Sequence, residues 1–357
     1  MCRFAGRILG KLLVGVALAV VLAHVCFDMT RFKDATYEAF FLNLTSLVQA
    51  PSAADKEKPS LRPQTTAAFT DIPKDVLSDG NRTNASAQNL CPLIPPNLVG
   101  YIATKKDVPS LEAAEDEFPD VMMGGRFRPK NCTSRHRVAI LIPYRDRAQH
   151  LKVFIYNIHR VLARQQIDYG VFVIEQGDNE QFNRAKLLNV GYLEATALYD
   201  YQCVVFHDID LVPADDRNIY TCPQQPRHMS VRIDQRSGVP YVLMFGGVSA
   251  LSKEHMLLVN GYSNLYWGWG GEDDDISFRL KNFNLTILRR PAEIARYTSL
   301  GHVKSKPSPH RHRILAKWKD RYKKDGLNSV KYKRLDIQFK KLYTWILVDL
   351  RELEEHT

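Results

Sequence analysis

The chain has 357 residues, 45% of them hydrophobic, so it is long enough for one large or two ordinary domains with a sizeable core. Its formal net charge of +10 favours anionic partners, namely nucleic acids, anionic membrane surfaces or phosphorylated ligands. The six cysteines form no CxxC pair, which argues against a structural zinc site.

The amino-terminal part of the chain has the pattern of a membrane anchor. An apolar run from Leu12 to Phe27 follows basic residues, and this order of charge keeps the amino terminus in the cytoplasm and the rest of the chain in the lumen. A cleaved signal peptide is the alternative interpretation, because the run also contains small residues. We predict a cytoplasmic tail over residues 1–11, a transmembrane signal anchor over 12–30, a flexible stem over 31–90 and a catalytic domain over 91–357.

Either interpretation places the remaining chain in an oxidising compartment. Four cysteines lie beyond the apolar run, an even number that suits two disulfides. Five Asn-X-Ser/Thr sequences have the form of glycosylation acceptors, at Asn43, Asn81, Asn84, Asn131 and Asn284. The nearly adjacent pair in the predicted stem is the most informative of them.

Strand and helix patterns alternate after Cys91. Continuous apolar runs at Val138–Ile142, Val171–Ile174 and Cys203–Phe206 have the form of buried parallel strands. The segments His150–Gln165 and Phe182–Ala197 between them are predicted to be helices. This alternation predicts an α/β fold with a largely parallel sheet.

Polar clusters follow each of the three predicted strands. They are Tyr144-Arg145-Asp146-Arg147, Glu175-Gln176 and Asp208-Ile209-Asp210. In open α/β sheets, ligands bind beyond the carboxyl ends of the strands. We therefore expect these three clusters to lie at one ligand-binding edge.

The residue types at this edge point to a metal and a nucleotide diphosphate. Asp208 and Asp210 are two residues apart, which in extended chain puts both carboxylates on one side, where hard oxygens suit Mg²⁺ or Mn²⁺ shared with a diphosphate. Arg145 and Arg147 can bind phosphate through two hydrogen bonds each. The alternatives are turn-forming aspartates and ordinary surface arginines.

The stretch from Tyr266 to Asp275 combines two indoles, glycines and four consecutive carboxylates. A Trp face can carry the apolar side of a sugar, and the carboxylates can bind hydroxyls, hold a metal or take a proton. Because adjacent acids repel each other, this run is not expected for stability alone. The alternative is a solvated acidic loop anchored by one buried Trp.

A basic segment from Lys304 to Lys341 is the remaining charged feature. The predicted lumenal location argues against nucleic acid as its partner, and a solvated basic face is the simpler interpretation. His302 lies just before this segment, and composition alone does not single it out among eleven histidines.

Six motifs between Cys91 and Asp349 are informative together: Ile142–Arg147, Phe182–Gly191, Asp208–Leu211, Phe245–Ala250, Trp267–Asp275 and Asp325–Ser329. With these motifs the chain resembles the β-1,4-galactosyltransferase family, which includes β-1,4-N-acetylgalactosaminyltransferases. The likeness covers about Cys91 to Asp349.

The resemblance implies a GT-A fold in one lumenal catalytic domain of a Golgi membrane enzyme, single-pass with its amino terminus in the cytoplasm. It also implies disulfides Cys91–Cys132 and Cys203–Cys222. For the metal it implies Asp210 and His302, with Mn²⁺ as the expected ion. For the UDP-sugar it implies Pro143, Tyr144, Arg145, Asp146, Arg147, Phe182, Asn183, Arg184, Ile209, Asp210, Met244, Trp269 and His302.

The resemblance further places the acceptor at Gly271, Glu272, Asp273, Asp274 and Arg311, with Asp273 as the catalytic base. The implied reaction is an inverting transfer of a sugar from its UDP donor to the 4-hydroxyl of a terminal β-GlcNAc on a glycoprotein or glycolipid. Asp273 removes the hydroxyl proton, and a closing loop excludes water.

Two positions depart from the family pattern. Ser299 replaces a Met three residues before His302, which leaves two protein ligands and makes Mg²⁺ a better competitor of Mn²⁺. Met244 replaces a Tyr that crowds the 2-acetamido position in galactose-using members, so we expect UDP-GalNAc to be accepted at least as well as UDP-Gal. The alternatives are strict use of UDP-Gal, a lumenal sugar-binding protein without activity, and a metal-dependent phosphohydrolase.

Overall fold

The computed structural model of the protein describes residues 89–234, 238–303 and 305–351. The predicted tail, the predicted anchor and all but the last two residues of the predicted stem lie outside these ranges. Within them, no helix has both the length and the apolar character needed to cross a bilayer.

The strands form two sheets. In chain order they are β1 (Arg126–Phe127), β2 (Arg137–Tyr144), β3 (Asp168–Gln176), β4 (Cys203–His207), β5 (Leu211–Pro213), β6 (Arg227–His228), β7 (Arg232–Ile233), β8 (Val248–Ser252), β9 (Arg296–Ser299), β10 (Lys333–Phe339) and β11 (Thr344–Asp349).

The helices lie mostly between strands. They are α1 (Leu111–Ala114), α2 (Ala148–Leu162), α3 (Arg184–Leu198), α4 (Lys253–Leu258), α5 (Glu272–Asn282), α6 (Arg311–Ala316) and α7 (Trp318–Arg321), with short 3-10 turns at Glu115–Glu117 and Leu327–Ser329.

The central strands are apolar through their middle parts because helices cover both faces of the sheet. Alternate residues of β2 point to opposite sides, so Ile140 packs in the layer that contains α2, whereas Leu141 packs in the layer that contains α3. Both side chains are fully buried. The predicted strands and helices are therefore confirmed in type and place, with boundaries that differ by a few residues.

The main sheet has the order β10-β11-β3-β2-β4-β8-β6, with β1 beside β3. The four strands from β11 to β4 run parallel, but β8, β6, β10 and β1 are antiparallel to their neighbours. The expectation of a largely parallel sheet is thus correct for the centre only. Its outer pairs include the hairpin of β10 and β11, which needs no crossover helix.

The smaller sheet has the order β5-β9-β7. Its first strand, β5, follows β4 closely in the chain. Its strand β9 pairs with β5, and the Leu300 N–H donates to the Asp210 carbonyl at 2.7 Å. This pairing brings the chain that leads to His302 beside the turn that follows β4.

Two disulfides cross-link the described part of the chain. Cys91 is bonded to Cys132, and Cys203 to Cys222. The first joins two loop segments that precede β2, and the second ties the beginning of β4 to the segment that leads to β6. Both are the pairs that the family resemblance implies.

Candidate active site

The two aspartates after β4 have different partners. Asp208 Oδ1 accepts a hydrogen bond from Arg184 Nε at 2.6 Å, whereas Asp210 Oδ2 lies 3.0 Å from His302 Nε2. Because the chain turns immediately after β4, these carboxylates are not on one side of an extended strand. The same-side geometry expected from an extended chain is therefore not observed, whereas the pairing of Asp210 with His302 is as the resemblance implies; a metal shared with a diphosphate at this position stays a prediction.

Asp210 and His302 form a donor set that suits a divalent cation. A carboxylate oxygen and an imidazole nitrogen 3.0 Å apart can bind the same ion, and both side chains are partly exposed. The Ser299 N–H donates to Asp234 Oδ1 at 2.8 Å, which fixes the end of β9 near this pair. Within the described ranges, no group of three or more His, Cys, Asp or Glu residues converges on a metal position.

The predicted phosphate-binding arginines lie at the same edge. Arg147 precedes α2, and its Nη2 is 3.4 Å from His302 Nδ1. Arg145 donates to the Glu180 carbonyl at 2.8 Å and lies over the Phe182 ring at 5.4 Å.

The other predicted UDP-sugar-binding residues of these two motifs lie nearby. Pro143 and Tyr144 end β2, and Asp146, just after it, has a φ of 51°. Asn183 caps α3 by accepting a hydrogen bond from the Lys186 N–H. The structure thus places these residues at one edge of the sheet, beyond the carboxyl ends of β2 and β4.

Arg184 lies between the turn after β4 and the start of α5. Its guanidinium bonds Asp208 and lies 3.7 Å from Glu272 Oε1, and its side chain is 16% exposed. Burial raises the pKa of Asp208, although the Arg184 guanidinium opposes that effect. The arginine therefore balances carboxylates from two motifs that lie more than sixty residues apart.

The predicted acceptor carboxylates begin helix α5. Burial raises the pKa of Glu272 to about 7, and the neighbouring Asp273 charge acts in the same direction. Burial, and next the charge of Asp274, also raise the pKa of Asp273. Carboxylates with raised pKa values in a cleft are suited to proton transfer near neutral pH.

Asp273 packs directly against the backbone at Gly246. A β-carbon built on Gly246 would lie within van der Waals radii of Asp273 Oδ2, and 3.3 Å from its Cγ. Gly247, the next residue, accepts a hydrogen bond from the Asp208 N–H at 3.0 Å through its carbonyl. The Phe245-Gly246-Gly247 motif therefore lies between the turn after β4 and the predicted base, and a side chain at Gly246 would require Asp273 to move.

The predicted mobile Trp lies on the surface beside Arg311. Trp269 is 58% exposed, and its carbonyl accepts from the Ser308 N–H at 2.9 Å. Gly270 and Gly271 have φ values of 101° and 97°, which favour glycine, and the Arg311 side chain lies against both. The loop thus presents an indole next to the start of α5, and Arg311, at the start of α6, lies against its glycines.

Asp275, the fourth carboxylate of the acidic run, is directed into the protein interior and is not part of the candidate site. It is fully buried and accepts from Arg279 Nε at 2.6 Å, Arg321 Nη2 at 2.8 Å and Tyr266 Oη at 2.9 Å. Arg321 also pairs with Asp325. These contacts hold α5 against Tyr266, which precedes Trp269, and against Arg321 in α7. Asp275 is therefore a structural residue.

Sequence reasoning missed the side chains around Met244. Tyr241 Oη donates to Asp274 Oδ1 at 2.5 Å, and the Met244 N–H donates to the Tyr241 carbonyl at 2.9 Å. Arg289 donates to the Met244 carbonyl at 2.8 Å. No local motif marks Tyr241 or Arg289, because their roles depend on contacts with residues 33 and 45 positions away.

Comparisons with known proteins agree with this geometry. Residues 91–223 match a sequence family described as the N-terminal region of glycosyl transferase group 7, and residues 227–303 match one described as the N-terminal domain of galactosyltransferase. The chain is 49% identical to mouse β-1,4-galactosyltransferase 1 over 265 residues, which is 73% of this chain and 66% of that protein. It is 41% identical to mouse β-1,4-galactosyltransferase 2 over 360 residues, covering 96% and 97% of the two chains.

Solved structures give the same assignment. The catalytic domain of Drosophila β-1,4-galactosyltransferase 7 in complex with xylobiose matches with a TM-score of 0.54 and 30% identity, over 60% of this chain and 94% of that one. A mutant of that enzyme in complex with manganese, UDP-Gal and xylobiose matches with a TM-score of 0.51 and 28% identity, with the same coverage of the two chains. With its mixed α/β fold of the GT-A type, the chain belongs to the β-1,4-galactosyltransferase family of glycosyltransferases.

Proposed function

We propose that this protein is an inverting glycosyltransferase that moves GalNAc or Gal from a UDP-sugar to the 4-hydroxyl of a terminal β-GlcNAc. The observation that carries the proposal is the position of Asp273, a half-buried carboxylate with a raised pKa at the start of α5 and against Gly246. The Asp210–His302 pair lies at the same edge and is linked to it through Asp208, Arg184 and Glu272.

The proposed chemistry follows from the residues at the carboxyl-terminal edge of the sheet and at the start of α5. Asp273 accepts the proton of the acceptor hydroxyl as its oxygen attacks the anomeric carbon, and the sugar–diphosphate bond breaks on the opposite side, which inverts the configuration. Arg145 and Arg147 bind the diphosphate that leaves. A divalent cation bound by Asp210 and His302 would supply further positive charge for this leaving group. We propose Mn²⁺ as this cation, and the presence of manganese in the complex of the Drosophila enzyme supports that proposal.

Loop closure is the other proposed contribution of the chain. Trp269 is exposed on a segment with three glycines at positive φ, so the indole can move over a bound donor. Closure would exclude water, which otherwise competes with the acceptor hydroxyl. The Arg311 side chain beside Gly270 and Gly271 would then lie on the acceptor side.

The donor preference is proposed to favour GalNAc at least as strongly as Gal. Met244 is half-buried and lies two residues before Gly246, which contacts the predicted base. Its flexible thioether can accommodate a 2-acetamido group and pack against the acetamido methyl. The relatives are named galactosyltransferases and the Drosophila complex contains UDP-Gal, so UDP-Gal is the alternative donor.

A side-by-side assay of both donors on a terminal β-GlcNAc acceptor tests this proposal. We expect UDP-GalNAc to be used at least as well as UDP-Gal, and Met244→Tyr to move the ratio of kcat/KM values toward galactose. One extra group in a tight pocket changes a preference by about 1–3 kcal/mol, so this single change is large enough to detect. A wild-type preference for UDP-Gal above about tenfold, or a Met244→Tyr ratio that stays constant, contradicts the GalNAc part.

The same assay separates the other candidate activities. Release of UDP without an acceptor would favour a phosphohydrolase or donor hydrolase, and binding of sugar without transfer would favour a sugar-binding protein. Intact Asp208, Asp210 and Asp273 support an enzyme.

We also propose that the protein is a Golgi membrane protein with its catalytic domain in the lumen. The apolar run from Leu12 to Phe27 and the basic residues before it support this location. Localisation of the tagged full chain, with protease protection of the catalytic domain in sealed vesicles, tests it. A diffuse cytosolic distribution contradicts it.

A further inference from the structure

Arg289 forms an unusual set of contacts with the loop that carries Met244. Its Nη2 donates toward the carbonyl oxygens of Tyr241 at 3.1 Å, Val242 at 3.0 Å and Met244 at 2.8 Å. Its Nε donates to His228 Nδ1 at 3.2 Å. One side chain thus holds three backbone positions of a loop 45 or more residues earlier in the chain.

The contact with His228 extends this arrangement to Gly246. Because Arg289 donates to Nδ1, that nitrogen is an acceptor, and the ring proton belongs on Nε2, which lies 3.0 Å from the Gly246 carbonyl. His228 is fully buried, and burial together with the Arg289 charge lowers its pKa to about 4. The neutral ring therefore connects Arg289 to Gly246 by a chain of two hydrogen bonds.

The backbone of the residue before Arg289 is hydrogen-bonded to the segment that contains β6. The Leu288 N–H donates to the Pro226 carbonyl at 2.8 Å, and the Leu288 carbonyl accepts from the His228 N–H at 3.0 Å. The guanidinium consequently extends from a segment bonded to β6, which belongs to the main sheet. It can transmit the position of the sheet to a loop that has no regular secondary structure between residues 238 and 247.

The loop places groups on both sides of the predicted reaction centre. Tyr241 bonds Asp274 on the acceptor side, and Gly246 contacts Asp273. Met244, the predicted donor-selecting residue, lies between them in the chain and shares its carbonyl with Arg289. A shift of this loop would therefore move donor-side and acceptor-side groups together.

We propose that Arg289 is a positioning residue that sets donor-sugar preference, because it holds the loop 241–246 in the conformation that presents Met244 to the donor sugar and Tyr241 to Asp274. This inference rests on the proposed function and adds to it a residue that does not itself touch the substrate. Lys cannot replace it, because a single ammonium group cannot contact His228 and three carbonyls in one plane.

The test compares Arg289→Lys with the wild-type full chain in two measurements. The first is the ratio of kcat/KM values for UDP-GalNAc and UDP-Gal on a β-GlcNAc acceptor, which we expect to change at least threefold. The second is amide hydrogen exchange, which we expect to become at least tenfold faster in peptides covering residues 241–247, while β2 and β3 stay protected. A purely structural role in folding would lower the melting temperature without moving the donor ratio.

The matched control is Arg137→Lys at the amino end of the central strand β2, away from the loop 241–246. Arg137 also binds a backbone carbonyl, that of Asp200 at 2.6 Å, and lies at the start of β2. Its substitution should leave the donor ratio and the exchange of residues 241–247 unchanged. Arg289→Gln, which retains a planar donor but no charge, is the second test variant.

The outcomes separate the inference from the proposed function. An active wild type whose donor ratio stays within threefold in Arg289→Lys and Arg289→Gln overturns the inference alone, and so does unchanged loop exchange. Failure of both variants to fold overturns it as well, since Arg289 would then be a folding residue. A wild type that transfers neither sugar overturns the proposed function and the inference with it.

Discussion

Substitution of Gly246 by Ala should displace the predicted base with little loss of stability. The added methyl would overlap Asp273 Oδ2 and lie 3.3 Å from Cγ and 3.6 Å from Cβ. Gly246 does not have a positive φ, so its backbone accommodates alanine without strain. The short Asp273 side chain can rotate away, which relieves the overlap at the expense of its position.

The expected loss of activity follows from the size of that movement. Restoring an ordinary contact distance requires the carboxylate oxygen to move by about 1 Å, and a misplacement of this size can reduce a rate by about 10²-fold. We therefore expect Gly246→Ala to lower kcat for transfer by about 10²-fold while the affinity for UDP, measured by titration calorimetry with metal present, changes little.

Gly191→Ala is the matched control. Its β-carbon would lie 2.8 Å from Ile174 Cδ1 inside the core layer between α3 and the sheet, away from Asp273. This overpacking should cost about 1–3 kcal/mol of stability and leave kcat per folded molecule unchanged. A Gly246→Ala enzyme that keeps more than about a third of the wild-type kcat would refute the reasoning, because a positioned base contributes ~10²–10⁴-fold.

Three further predictions concern the metal, the pH profile and the buried ion pairs. Excess chelator should abolish transfer, and Mg²⁺ should restore a substantial part of the Mn²⁺ activity, because Ser299 supplies no soft sulfur ligand; full activity in chelator, or a response to Mn²⁺ alone, contradicts this. Asp274→Asn removes a charge that raises the pKa of Asp273, so the acid limb of the kcat/KM profile should move to lower pH, and an unchanged or upward shift would count against Asp273 as the base. Arg321→Met leaves the fully buried Asp275 with one cationic partner fewer and should reduce the free energy of unfolding in urea by about 3 kcal/mol, whereas a loss below about 1 kcal/mol would show that the pair is dispensable.

Local pattern was sufficient for the elements that form the core. The apolar runs of β2, β3 and β4 are continuous because both faces of these strands are buried, and that pattern can be read without a structure. The polar residues at the strand ends could also be located, because each cluster begins where an apolar run ends. The turn after β4 was not predicted, since the separate partners of Asp208 and Asp210 lie on α3 and beyond β9.

Residues that act through distant contacts could not be recognised in the sequence. Asp275 has the same residue type as its three acidic neighbours, but its position on α5 turns it toward Arg279 and Arg321. Arg289 lies next to another arginine in an irregular segment, and only the folded chain shows its bonds to residues 241–244. Such contacts join parts of the chain that no local periodicity relates.

The transfer rate of Asp273→Asn, measured at saturating UDP-sugar and metal on a terminal β-GlcNAc acceptor, tests the central claim most directly. Asn preserves the shape of the side chain and removes its capacity to accept the hydroxyl proton. The proposed mechanism predicts a fall of about 10²–10⁴-fold relative to wild type, with binding of the UDP-sugar retained. A rate above about a tenth of the wild-type value would contradict the assignment of Asp273 as the catalytic base.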